Sequence, residues 1–242
     1  MSSLGDVLEL TFGRPSAEGV AVHAVAREWQ DEAVAERVAE CFRRTRRKLP
    51  MPWLVRVQMI VVAPLMAVDA VRRLVARIGP GRESPPPETQ LTLSLGAGGR
   101  ARVERSWTTA AGGVERRVAI VRLGDDTAWT PDARGGPWPT PTTTDVDRLF
   151  DRRLLLEILA SLYLESTGED EVAGRPVVVA RAERRGHQGP WPHWLPYGAD
   201  DYELRLDREH GHLLGFRARA DGHEYAGLEV TEITYGFDPA RT

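Results

Sequence analysis

The sequence predicts an α+β fold, a single curved antiparallel sheet covered by helices. Three observations carry this reading. The apolar patterns run in the order strand, helix, several strands, helix, several strands. The links between strands are of hairpin length, which rules against parallel βαβ units. The stretch 198–237 reads as an antiparallel meander on its own. In it Tyr202, Leu204 and Leu206 alternate with Asp201, Glu203 and Arg205, a strand with one buried face. Residues 207–211 make a turn in which Gly211 supplies a positive φ. A second strand, 212–219, keeps Leu214, Phe216 and Ala218 on one face, and Asp221-Gly222 is a strong hairpin signal. A third strand spans 228–237. Leu228 and Val230 share one phase and Ile233, Tyr235 and Phe237 the other, which predicts a bulge near Thr231.

The rest of the chain follows in order. Residues 4–12 form a short apolar segment closed by Gly13 and Pro15. Residues 19–29 alternate as a first long strand, with Val20, Val22, Ala24 and Ala26 on one face. Asp31 is suited to cap a helix over 32–48, whose apolar side carries Val34, Val38, Cys41 and Phe42. Five cations between Arg43 and Lys48 end it, favourable to the helix dipole and read as a solvated tip. Residues 51–62 fit a strand or a helix start equally. Pro64 suits a first helical turn, and Leu65, Val68, Val71, Leu74, Val75 and Ile78 continue at helical spacing up to Gly79, so 64–78 is predicted to lie as an amphipathic helix over the sheet. A Pro-rich loop covers 79–88. Strands are predicted over 90–95, 100–107 (with Ala101, Val103, Arg105 and Trp107 on one side), 115–123 and, briefly, 127–130. A helix is predicted over 145–164, a strand over 171–184 after the corner at 174–176, and a loop over 186–198. The whole is read as one domain, 1–242, with an extra helical segment at about 51–78.

Bulk properties narrow the function. At 242 residues, 42% hydrophobic and 28% charged, the chain is globular rather than disordered. A net charge of -3 gives no general attraction for nucleic acid. The one cysteine, Cys41, excludes an internal disulfide and is expected to be buried. Residues 53–78 are the only span candidate, and their arginines and Asp69 are too costly for a transmembrane helix. Together with an N-terminal stretch that lacks signal-peptide character, this reads as a cytoplasmic protein without a transmembrane segment.

No nucleophile motif, zinc-protease motif or P-loop occurs in the sequence. The glycines at 96–99 join two strands and so form a hairpin turn, not a phosphate cradle. His210 and His212 flank a turn without a third ligand at metal spacing. They read as surface turn residues, with no metal and no cofactor expected. The loop 186–198 concentrates His187, Trp191, His193, Trp194 and Tyr197. These side chains either form a lid over an apolar ligand or anchor the loop on the sheet. Trp107 and Trp129 sit on strands and either line a cavity or fill it.

Several stretches together resemble a known family. The segments LELTFGRP, HAVAREW, RLGDDTAWTP, LFDRRLLLEIL, VAGRPVVVARAERR and GADDYELRLDREHGHLLGFRARADG are similar to actinobacterial members of the LolA-like and RseB-like lipoprotein-carrier superfamily. The resemblance covers most of 4–29 and 99–237. It implies an unclosed antiparallel half-barrel with helices covering its concave face, and a cavity that holds acyl chains or other apolar ligands. The chain departs from the carriers in having no lipobox cysteine and in its segment 51–78. The resulting expectation is a binding protein for a hydrophobic small molecule or acyl chain, with Trp107, Trp129, Trp191, His193 and Trp194 as ligand-contacting residues. Two alternatives stand beside it. One is an enzyme of the cyclase or isomerase type using the same cavity, with His187, His193 and Asp200 as acid/base candidates. The other is a regulatory protein-interaction module acting through 51–78 or the basic helix end.

Overall fold

The computed structural model describes residues 20–47, 88–96, 98–122, 143–150, 162–184, 195–196 and 198–236. Within them the chain forms β1 (Val22–Gln30), α1 (Glu32–Arg47), β2 (Glu88–Leu95), β3 (Arg100–Thr108), β4 (Val114–Arg122), α2 (Thr143–Phe150), β5 (Leu162–Val172), β6 (Arg175–Arg184), β7 (Asp201–Asp207), β8 (Leu213–Ala220) and β9 (His223–Tyr235). All nine strands join one antiparallel sheet in the order β4-β3-β2-β1-β9-β8-β7-β6-β5. The sheet is open, because its end strands β4 and β5 do not pair with each other. The first strand lies at the centre and joins two meanders, β2–β4 on one side and β5–β9 on the other.

Period-two alternation sorts the strands into two faces. The inner face carries Val22, Ala24 and Ala26 of β1, Leu91, Leu93 and Leu95 of β2, and equivalent buried residues on every other strand. It is covered by α1, through Val34, Ala35 and Val38, and by α2, through Val146, Leu149 and Phe150. The outer face is a lattice of ion pairs. Arg205 meets Asp170, Glu203 and Glu229, and Arg219 meets Asp201 and Glu203. These half-buried pairs satisfy one another's charge across the strands of this face. Trp29 lies on the outer face over Gly227, its partner in register, and donates from Nε1 to Glu224 Oε1 at 3.0 Å. A Cβ on Gly227 would enter the Trp29 ring and come within 2.8 Å of the Phe216 carbonyl, which is why this strand position carries glycine.

The predicted bulge is present. Val25 pairs with Glu232 and Ala26 with Val230, so Thr231 is the extra residue, and its Oγ1 donates to the Val25 carbonyl at 3.2 Å. The shift returns Ile233 and Tyr235 to the face that holds Leu228 and Val230. Asp31 caps α1 as expected, accepting from the Val34 amide at 3.0 Å. At Asp221-Gly222 both residues have positive φ, 51° and 75°, the geometry of a tight hairpin.

Three expectations are corrected. The predicted helix over 145–164 is helical at 143–150, but Leu162 to Leu164 open β5. That strand is an edge, and its run of Glu165, Glu169, Asp170 and Glu171 hid its strand character. The predicted strand 171–184 is in fact the tip of the β5–β6 hairpin plus β6. Ala173 and Gly174, at φ 51° and 73°, form the turn, where the sequence offers no Asn-Gly or Asp-Gly. Cys41 is exposed rather than buried. Among the described side chains of α1, Val34, Ala35 and Val38 pack against the core, with Val38 against Gly198. The predicted helix 64–78, the rest of the segment 51–78, the loop 79–87 and the strand 127–130 lie outside the described residues. Glu88, assigned to that loop, opens β2.

Candidate functional site

At one end of the apolar inner face, the alternation that places Val22, Ala24 and Ala26 inward continues to Glu28. On β3 the same alternation carries Ala101 and Val103 on to Arg105 and Trp107. Helix α2 crosses this end and lowers Asp145 and Arg148, one turn apart, onto the sheet beside its apolar Val146 and Leu149. Four charges therefore converge. Arg105 grips Asp145 side-on, with Nε 3.2 Å from Oδ2 and Nη2 bonded to Oδ1, and its Nη1 lies 2.9 Å from Glu28 Oε2. Arg148 reaches Glu28 Oε1 from Nη1 at 2.7 Å. Both arginines and Asp145 are buried, and the Glu28 side chain is 23% exposed. Thr89, buried and opposite Glu28 on β2, completes this end.

Buried charges survive only when paired. Burial alone would raise the Glu28 carboxyl, but Arg148 and Arg105 outweigh it and hold it at about 2. Burial would likewise lower Arg105, and Asp145 with Glu28 reverse that and push it above its ordinary value. Trp107 sits two residues along β3 from Arg105 on the same face, 8% exposed, with the Arg117 guanidinium 5.6 Å from its ring centroid. An apolar floor thus ends in a charged, aromatic rim.

A second cluster closes the β7–β8 turn. Asp207 accepts from the Glu209 and His210 amides at 2.8 and 2.6 Å and from Arg175 Nε. Burial would raise its carboxyl, but these donors hold it below the usual range. Arg175 also bonds Glu209 and lies 4.8 Å from the Tyr235 ring centroid, while His210 stacks on Tyr235 at 3.7 Å. Tyr235 Oη and His212 Nδ1 are 2.9 Å apart, and Phe150, the last residue of α2, meets the His212 ring edge-on at 5.3 Å. His212 is 1% exposed, so its reading as a surface turn residue is corrected. The bulge at Thr231 brings Tyr235 inward to meet it. Helix α2 is therefore held at its start by ion pairs and at its end by this aromatic cluster.

Of the sequence candidates, Trp107 lies on the inner face. Trp129, Trp191, His193 and Trp194 lie outside the described residues, as does His187. Asp200 is exposed, and its Oδ2 accepts from the Asp221 amide at 2.8 Å, a turn-fixing role. Among the described residues no group of three His, Cys, Asp or Glu is placed to hold a metal, and no helix is long and apolar enough to cross a membrane. The Glu28–Arg105–Asp145–Arg148 quartet was not singled out from sequence. The available signal was charged residues in phase with buried apolar ones, on β1, β3 and α2 alike.

No protein-family model matches this chain, and no curated protein matches it. Among solved structures it is similar to MucB, at 14% identity and a TM-score of 0.47 over 97% of this chain and 59% of MucB. It is also similar to the Mycobacterium tuberculosis lipoprotein LppX, at 8% identity and 0.40 over 97% of this chain and 93% of that one. A third is a putative outer membrane lipoprotein-sorting protein domain from Vibrio parahaemolyticus, at 8% identity and 0.24 over 97% and 94%. The chain spans about three-fifths of MucB's length. The fold reading rests on the open sheet itself. The cytoplasmic expectation is corrected: two of these neighbours are named as a lipoprotein and as a putative outer membrane lipoprotein-sorting protein domain. The residues behind that expectation do not place a compartment: charges in 53–78 argue against a span and say nothing of where the chain resides.

Proposed function

We propose that this chain binds a hydrophobic small molecule or acyl chain between the inner face of its open sheet and the elements that cover it. The observation that carries the reading is the inner face itself. Between its charged end at Glu28 and Arg105 and its His212–Tyr235 end it is apolar, and much of it is alanine: Ala24, Ala26, Ala101, Ala119, Ala180 and Ala182. These alanines are covered in the structure, and a floor of such small side chains is one on which an acyl chain would lie as the covering elements yield. Trp107 is the described aromatic at its rim, and Trp129, Trp191, His193 and Trp194 are proposed to complete the ligand contacts. LppX is a lipoprotein and the Vibrio parahaemolyticus domain a putative lipoprotein-sorting one, which is in keeping with this class of ligand.

The test is fluorescence titration with an environment-sensitive acyl probe. Saturable binding at micromolar probe, weakened by Ala24→Phe and Ala180→Phe, which fill the floor, is the expected result. Failure of the folded wild-type protein to take up the probe would overturn the reading and leave the inner face as a filled core.

A further inference from the structure

Arg148 holds an unused hydrogen-bonding face. Its Nη1 is committed to Glu28. Its Nε and Nη2, the pair that forms the side-on fork of a guanidinium, are buried and have no hydrogen-bond acceptor among the described residues. Asp145 Oδ1 is 3.3 Å from Nη2, within ion-pair range but outside hydrogen-bond geometry, and both Asp145 oxygens already serve the Arg105 fork. The Arg148 side chain is 7% exposed, so water does not substitute freely. Buried donors left unmade are costly, and here two adjacent donors on one group point the same way.

The charge count says what would satisfy them. Arg105 and Arg148 are balanced by Glu28 and Asp145. An added anion would lie against two carboxylates, one of them already beside Nη2. A neutral acceptor keeps the balance, and a carbonyl oxygen with its two lone pairs can take both donors. The fork lies where the apolar floor ends, the place at which the polar end of a chain lying on that floor would come to rest. We propose that Arg148 receives the ester carbonyl of a neutral acyl lipid, and that the chain prefers acyl esters over free fatty acids. This inference rests on the proposed acyl-binding function and assigns it a ligand class and a specificity-determining residue. Because the donors lie beneath the surface, the ester reaches them only as the covering elements yield to the incoming chain.

The experiment uses diphenylhexatriene, a hydrocarbon dye without hydrogen-bonding groups, displaced by methyl oleate or by oleate. Arg148→Lys keeps a cation beside Glu28 and removes the fork. In the wild type, methyl oleate should displace the dye more effectively than oleate. In Arg148→Lys the dye should bind as before, while methyl oleate loses about tenfold or more in affinity, the scale of a lost hydrogen bond to a charged group. Thermal unfolding of the variant confirms that it is folded; should the lysine misfold, the wild-type comparison of methyl oleate with oleate is read alone, and absence of an ester preference overturns the proposal. Unchanged ester affinity with intact dye binding overturns the role of Arg148 and leaves acyl binding standing. A preference for oleate that depends on Arg148 overturns the neutral-ligand claim. Absence of dye binding in the wild type removes the acyl-binding reading beneath it.

Discussion

Replacing Glu28 by glutamine should destabilise the protein at neutral pH and lose about half of that effect at about pH 3. The folded carboxyl is held at about 2 against an ordinary value of 4.5, despite burial that would push it the other way. Each tenfold change in proton affinity is worth about 1.4 kcal/mol, so the charge of Glu28 contributes about 3 kcal/mol at pH 7. The folded value is depressed, so this contribution is complete above about 4.5 and is lost as pH falls toward 2. At pH 3 about half of it is already gone. Glutamine keeps the shape and one acceptor oxygen but not the charge. Urea unfolding of wild type and Glu28→Gln at pH 7 and pH 3 is the assay. The gap between the two proteins should shrink by about half. A gap independent of pH, or below about 1 kcal/mol at pH 7, would show that Glu28 is solvated and that the quartet does not pin α2 to the sheet.

Three further outcomes follow from the same geometry. Arg105→Met leaves Asp145 and Glu28 with Arg148 as their one remaining cation in the quartet, an excess buried negative charge, and should cost about 3–5 kcal/mol. The matched change Arg217→Met, on the outer face, should cost under about 1 kcal/mol, both read from urea midpoints. Gly227→Ala should lower the melting temperature by several degrees, because its Cβ meets Trp29 and the Phe216 carbonyl; Trp29→Ala in the same chain should recover part of the loss, and absence of recovery would count against the contact. Cys41 should react with a thiol reagent in the native protein at a rate close to that in urea, and strong native protection would contradict its exposure.

The C-terminal meander was legible because each of its signals is local. Alternation in β7 and β8, a two-residue turn at Asp221-Gly222 and a phase slip at Thr231 are all read within a few residues. The central place of β1 was not legible, since its partners β2 and β9 lie far along the chain and no local rule selects them. Strand β5 was missed because Leu162 and Leu164 extend the helical spacing of the preceding leucines, while its outward residues are acidic, as an edge in water tolerates. The quartet was hidden for a different reason. A charged residue in an apolar alternation reads as the end of the buried face, and only the approach of α2 from another part of the chain turns Glu28 and Arg105 into paired, buried groups. His212 was misplaced likewise, because its burial depends on Tyr235 from β9 and Phe150 from α2.

The central claim is that the inner face of the open sheet takes an acyl ligand, and native mass spectrometry of the purified protein, with extraction of whatever it carries, tests it most directly. The account predicts a bound population heavier than the chain by the mass of one acyl lipid, restored by adding methyl oleate to delipidated protein. A single ligand-free mass, unchanged by added acyl ester while the protein remains folded, would contradict it.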